Sequence, residues 1–270
     1  MRAADSETVK TSEDQEAVEE LKANEDPTIL KRGVWLDTEW NKYRDGSNNV
    51  DETLGVLWAW PVSTNQDWAA RLKIPYRFHS AGDAPRDTDN HGLGDIKVAT
   101  GTAIRLNKSW RVGGGLELRT PSGADDRLSE DVWRIQEFGA IAWDATDWLT
   151  LSPSLEYNQS IAEERGAPPQ HFLEVFFPAT FILPNRWAAA ARYELKADFQ
   201  NDNYITHSAK FAVSKQLVED VPLNAALSFK KSFDGGAREF QVNFLLIYYF
   251  GSGKNSGSQR QIRIKNQPER

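Results

Sequence analysis

The sequence predicts an all-β protein, a transmembrane antiparallel up-and-down β-barrel of about twelve strands that follows a short acidic N-terminal segment. Three observations predict this fold. Apolar and polar residues alternate with a period of two through most of residues 30–250. The alternating segments are roughly 9–13 residues long, close to the roughly 9–11 residues with which a tilted strand crosses a bilayer. The connections between them alternate between long and short, as in bacterial outer-membrane barrels.

The alternation is clearest in residues 186–199, where odd-numbered positions are apolar and the other face carries Arg192, Glu194 and Lys196. The same reasoning identifies twelve segments. They begin near Gly33, Leu54, Trp68, Asp95, Trp110, Val132, Trp148, His171, Arg186, Tyr204, Val221 and Phe240. Glu137 falls on an otherwise apolar face, so we expect a β-bulge or a shift of register there.

The connections divide into two groups by length. Long connections are expected at residues 44–51, 80–91, 121–131, 160–170 and 234–239. Short ones are expected at residues 63–67, 107–109, 145–147 and 184–185. The long loops therefore project from one end of the predicted barrel and tight turns close the other end.

Four of the ten tryptophans follow the short turns and predict an aromatic girdle: Trp68, Trp110, Trp148 and Trp187. They are 38 to 42 residues apart, which returns an indole to the same height in each hairpin. Indoles at that height bury the ring in acyl chains and direct the N–H group towards lipid headgroups. A β-propeller also repeats near 40 residues, but it places four short strands in each repeat, whereas this sequence has two long ones.

The polar face of the strands predicts a charged lumen. Its predicted lining residues are Arg71, Lys73, Arg77, Lys97, Glu117, Arg119, Arg192, Glu194 and Lys196. Over the whole predicted polar face, basic residues exceed acidic ones slightly. Two interpretations stay open: a salt-bridged polar core that only stabilises the barrel, or a pore with a weak preference for anions.

Charge also divides the chain into three parts. Residues 1–28 hold nine acidic and three basic residues and are expected to be a periplasmic segment that can form a short helix. Residues 29–250 form the predicted barrel, and residues 251–270 are expected to be a basic, flexible tail. No signal peptide follows Met1, so we expect the mature form of a protein of the bacterial outer membrane.

Two glycine-containing motifs resemble a known family. Gly92–Asp95 reads GLGD, and residues 120–123, after the next strand, read TPSG. This pattern is similar to a family of proposed outer-membrane transporters that is named for the meta-cleavage pathway of phenol degradation, whose motifs are GLGD and PTG. The resemblance covers about thirty residues here, and it implies a barrel that passes small hydrophobic or aromatic compounds.

The composition excludes several other functions. The chain has no Cys, which excludes thiolate metal sites and cysteine catalysis, and its charge of −7 argues against nucleic-acid binding. His79 and His91 flank an acidic loop, and a solvated loop is a simpler interpretation of these residues than a metal site.

We therefore predict no catalytic residues, metal or cofactor, and expect lipid, the outer-membrane assembly machinery and a small solute as partners. The predicted function is a passive channel; the alternatives are a closed structural or surface-interaction barrel and, third, an outer-membrane hydrolase.

Overall fold

The computed structural model describes residues 12–80, 90–125, 127–219, 221–234 and 238–250. One helix, α1 (Ser12–Ala23), precedes fourteen strands. The strands are β1 (Gly33–Tyr43), β2 (Asn48–Pro61), β3 (Gln66–Ser80), β4 (Asn90–Leu93), β5 (Lys97–Arg105), β6 (Trp110–Arg119), β7 (Val132–Thr146), β8 (Leu149–Leu151), β9 (Ser154–Glu163), β10 (His171–Leu183), β11 (Trp187–Asp198), β12 (Tyr204–Val218), β13 (Val221–Ser232) and β14 (Arg238–Tyr249).

The fourteen strands form a closed barrel of twelve, because two barrel strands are each split in two. Both β4 and β5 pair with β3, and both β8 and β9 lie between β7 and β10. The second interruption contains Pro153, which has no N–H group to donate to a ladder. All neighbours are antiparallel, and β1 pairs with β14 from Gly33↔Tyr249 onwards, which closes the sheet. The predicted fold class is confirmed.

Two details of the prediction are wrong. The connection after β1 is short, residues 44–47, because β2 already begins at Asn48. Glu52 is a polar residue on the outward face of β2, so the start of this strand lacks the alternation from which the strands were predicted. The Glu52 carboxylate accepts a hydrogen bond from the Thr38 hydroxyl (2.7 Å). Glu137 lies in an unbroken ladder, and the register of β7 shifts elsewhere, between Trp133 and Arg134 and between Asp144 and Thr146.

The barrel reverses the polarity of a soluble protein. Large apolar side chains such as Leu54, Phe211 and Leu227 are half exposed or more on the outside. Inside, Asn158 and Asn224 are fully buried. Ladder partners share a face of the sheet, so this pattern holds from strand to strand. Among the residues that the structure describes, no helix is long and apolar enough to cross a membrane.

Glycines on the inward face make room for aromatic rings inside the lumen. The indole of Trp35 occupies the space above Gly55, where an added Cβ would lie 2.0 Å from the ring. The ring of Phe138 lies against Gly101 and Gly115 in the same way, at 3.1 and 2.7 Å from their added Cβ atoms. These glycines are therefore required by close packing.

We expect Gly115→Ala to destabilise the barrel by about 1–3 kcal/mol or more, as overpacking does. Its Cβ would lie 2.2 Å from the Thr100 carbonyl oxygen, which is backbone and cannot move aside easily. Gly139→Ala is the matched control, since nothing lies within 4 Å of its added Cβ. Urea unfolding, followed by heat-modifiable gel migration, measures both; equal stability of the two variants would contradict the packing account.

Candidate functional site

The candidate functional site is the lumen, and the structure places all nine predicted lining residues on its inward face. One contact shows this directly. Arg71 on β3 binds Glu117 on β6 at 2.6 Å, although β5 lies between these strands, so the contact must cross the concave side of the sheet. The ladder pairs then assign the same face to the other members of the set.

A segment that we call the plug, residues 12–32, lies inside this lumen. It contains α1 and the chain that leads into β1, and it contacts wall residues near the short turns. Leu21 and Ala17 of α1 are buried, at 1% and 4% exposed. The acidic segment that the sequence assigns to the periplasm thus lies, from residue 12 to residue 28, inside the barrel; residues 1–11 and the tail 251–270 lie outside the described residues.

Arg111 on β6 is the centre of the main contact between plug and wall. Its Nη2 donates to the Asp26 carboxylate at 2.9 Å, and its Nη1 binds Asp144 on β7. Lys22 of α1 binds the same Asp144 at 2.8 Å, and the Thr28 hydroxyl accepts from Arg111 Nε at 3.2 Å. Buried charges need such complete partnering, so this network fixes where the plug sits.

A second group of contacts attaches the plug to the opposite wall. Glu25 binds Lys210 on β12 at 2.8 Å and lies 3.7 Å from Arg192 on β11. The Tyr249 hydroxyl at the end of β14 donates to the Asn24 side chain at 2.8 Å. Carboxylates of the plug therefore face cations of the wall, which explains why an acidic segment fits a lumen rich in basic residues.

The predicted cationic excess of the lumen is largely removed in the structure. Asp51 binds Arg77 through two bonds of 2.6 and 2.9 Å, and Asp144 also faces inward. Neither aspartate was assigned to the lumen from the sequence. Glu194 binds Arg192 at 2.5 Å and also binds Lys230. Lys196 instead places its amine over the Phe172 ring at 3.7 Å.

The loop of residues 120–131, of which residues 120–125 and 127–131 are described, folds into the other mouth of the barrel. The two family-like motifs hold these described parts there. The Asp95 carboxylate accepts from the Ser129 hydroxyl (2.6 Å), the Glu130 N–H (2.8 Å) and the Gly123 N–H (3.3 Å). Leu128 is 1% exposed. Its Cδ1 atom would lie 2.9 Å from a Cβ added to Gly92. Gly92 therefore leaves room for the inward loop.

Glu130 joins this loop to the cations of the wall. It binds Arg119 and, at 2.7 Å, Arg134. Burial alone would raise the pKa of Glu130, but the two guanidinium groups hold that pKa well below its usual range. Because the folded pKa is lowered, this attachment is present above the ordinary pKa of a glutamate and is lost only as the pH falls far below it.

The histidines do not converge. The His79 ring binds the Asn49 side chain (2.6 Å) on the inward face, whereas His91 faces outward and binds the Tyr76 hydroxyl (2.8 Å). His171 and His207 make the same contact with Tyr157 and Tyr193, each at 2.6 Å. Within the described residues, no group of three or more potential ligands could hold a metal ion. The loop acids Asp83, Asp87 and Asp89 lie outside those residues.

The four girdle tryptophans all face outward near the short turns and are 37–54% exposed. Trp110 stacks on Trp143 with ring centroids 5.6 Å apart, and the Trp68 indole donates to the Thr100 hydroxyl at 2.7 Å. Trp35 was missed as a lumen residue. The signal was present, because Trp35 has the same parity as Asp37 and Glu39 on β1.

Comparison with solved structures shows the same fold. An outer membrane channel from Pseudomonas putida F1 matches with a TM-score of 0.69 and 14% identity, over 82% of this chain and 96% of that one. The translocator domain of the autotransporter NalP from Neisseria meningitidis matches at 0.53 and 10% identity, over 82% and 88%. The CymD monoaromatic hydrocarbon channel matches at 0.50 and 9% identity, over 84% and 91%. No family model and no curated protein matches the sequence.

We expect Asp95→Ala to release the loop of residues 120–131 from the barrel mouth. The substitution removes the acceptor of three hydrogen bonds to a buried carboxylate, and one such bond is worth about 1.5–3 kcal/mol. Cleavage by trypsin after Arg127, followed by mass spectrometry, should accelerate roughly tenfold or more. Asp202→Asn, in the exposed turn before β12, is the control and should leave that rate unchanged. An unchanged rate in Asp95→Ala would show that the loop is held by other contacts.

Proposed function

We propose that this chain is a bacterial outer-membrane β-barrel that acts as a passive channel for small solutes. One observation carries the proposal: a closed barrel with an apolar exterior keeps charged side chains partly exposed inside it. Lys73, Lys97, Glu156 and Glu174 all point inward, yet none of them is fully buried. Side chains therefore do not fill this part of the lumen, and water or a solute can occupy it.

The proposed orientation follows from the two ends of the barrel. The short turns, the tryptophan girdle and the plug lie at one end, which we assign to the periplasm. The connections at the other end include the inward loop of residues 120–131, which we assign to the cell surface. The girdle would then lie at the inner lipid headgroups.

For the solute, we propose small aromatic compounds that carry a polar or charged group. The sequence resembles proposed transporters of small hydrophobic or aromatic compounds, and the similarly folded CymD is a monoaromatic hydrocarbon channel. Inward aromatic rings, namely Trp35, Phe138 and Phe176, offer contact surfaces for an aromatic solute. The charged groups between them make the lumen an unfavourable path for a plain hydrocarbon.

The plug favours one alternative, a barrel whose lumen stays closed. Its ion pairs with Arg111 and Lys210 hold the plug inside the lumen, at the end that we assign to the periplasm, where it obstructs the path. In a channel these contacts must leave a narrow path or open during passage. Conductance across a planar lipid bilayer distinguishes the two functions, since a closed barrel passes no current.

We expect the variant Glu25→Gln/Asp26→Asn to conduct several-fold more than the unchanged chain. Loss of both carboxylates removes the ion pairs of the plug with Lys210 and Arg111, and Arg111 keeps only Asp144 of the wall as its counter-charge, so the plug should leave its position more often. Glu163→Gln, at the exposed end of β9, is the control and should conduct like the unchanged chain. Heat-modifiable gel migration checks that each variant folds. Absence of current from all three proteins would favour the closed barrel.

A further inference from the structure

Four cations form a continuous row across the lumen wall. Lys73 on β3 pairs with Lys97 on β5, Lys97 pairs with Arg119 on β6, and Arg119 pairs with Arg134 on β7. Direct partners in a sheet have Cβ atoms about 4.5–5.5 Å apart, and like charges at that spacing repel. Such a row therefore needs anions nearby.

The available carboxylates serve the arginines and leave the two lysines without a close partner. Glu130 binds Arg119 and Arg134, and Asp95 lies 3.8 Å from Arg119. Glu117 is nearest to Arg71, at 2.6 Å. Among the described residues, no carboxylate oxygen lies within 4 Å of either lysine amine. Lys73 and Lys97 are thus the two members of the row that make no ion pair within 4 Å in the described part of the chain.

An apolar surface lies on the same wall, farther from the loop end. The tip of the Phe138 ring lies against Gly101, which is four residues along β5 from Lys97. At about 3.3 Å per residue, the Cα atoms of Lys97 and Gly101 are roughly 13 Å apart. An extended lysine side chain and the aromatic ring of a small solute can together span this distance. The lysine pair and Phe138 therefore fit a charged head and an apolar body.

Two acidic residues follow Phe138 on the next strands of the wall. Glu156 pairs with Phe138 on one side and with Glu174 on the other, so two carboxylates stand together beyond the aromatic ring. Neither has an ion-pair partner within 4 Å among the described residues. A solute with a second negative charge at its far end would be repelled there, whereas a neutral end would not.

We propose that Lys73 and Lys97 bind the carboxylate of a small organic monoanion whose apolar body packs on Phe138. This inference rests on the proposed channel function, because it names the class of solute that the lumen selects. The two amines supply the positive charge and several N–H donors, and the carboxylate supplies the anion that the cation row lacks.

The test measures equilibrium binding in detergent by calorimetry at low ionic strength, with benzoate as the probe. Benzamide, a neutral analogue, and terephthalate, a dianion, are the comparison compounds. The unchanged chain should bind benzoate, bind terephthalate more weakly and show no binding of benzamide. Lys73→Gln/Lys97→Gln should weaken benzoate binding about tenfold or more. Lys230→Gln is the matched control, since Lys230 already binds Glu194 inside the same lumen, and it should change benzoate affinity less than twofold.

The outcomes separate the two proposals. Equal benzoate affinity in the double variant and the control overturns the site, as does equal binding of benzamide or the absence of benzoate binding. Bilayer conductance of the same preparations tests the channel independently. Benzoate binding without conductance would overturn the channel and keep the site, and conductance without benzoate binding would do the reverse. Heat-modifiable migration confirms that the double variant folds.

Discussion

The pairing of β1 with β14 is the contact on which the rest of the structure depends. At the proposed location in the outer membrane, no water could satisfy a free N–H or C=O group, so an open sheet edge would be very costly. Closure removes both edges at once and creates an inside. The interior is then the one place where the charged half of every strand can lie, because the outward half must be apolar.

A charged interior in turn determines what can enter it. The plug brings carboxylates to Arg111, Lys210 and Arg192 from the side of the short turns. The loop of residues 120–131 brings Glu130 to Arg119 and Arg134 from the other side. Between these two attachments, Lys73 and Lys97 make no ion pair within 4 Å among the described residues. The positions of the plug, of the inward loop and of the proposed solute site thus all depend on the basic side chains of the lumen wall.

The glycines show how close packing and the pathway are connected. Gly101 and Gly115 let the Phe138 ring approach the wall closely, and Gly55 does the same for Trp35. Gly92 leaves the space that Leu128 fills when the loop turns inward. Side chains at these positions would push the aromatic rings or the loop farther towards the centre of the lumen. The glycine motifs therefore help to set the cross-section that a solute meets.

The sequence by itself determined the strands and their inward and outward faces, including the inward position of the nine charged residues, because alternation with period two is a local property of each strand. It misplaced the start of β2 and expected a bulge at Glu137, where a polar residue on the outward face broke that alternation. Only the tertiary structure decided which charges meet. The plug, the inward loop and the four-cation row join residues far apart in the chain, and their pairing depends on the register between strands and on closure of the barrel, neither of which a local pattern contains.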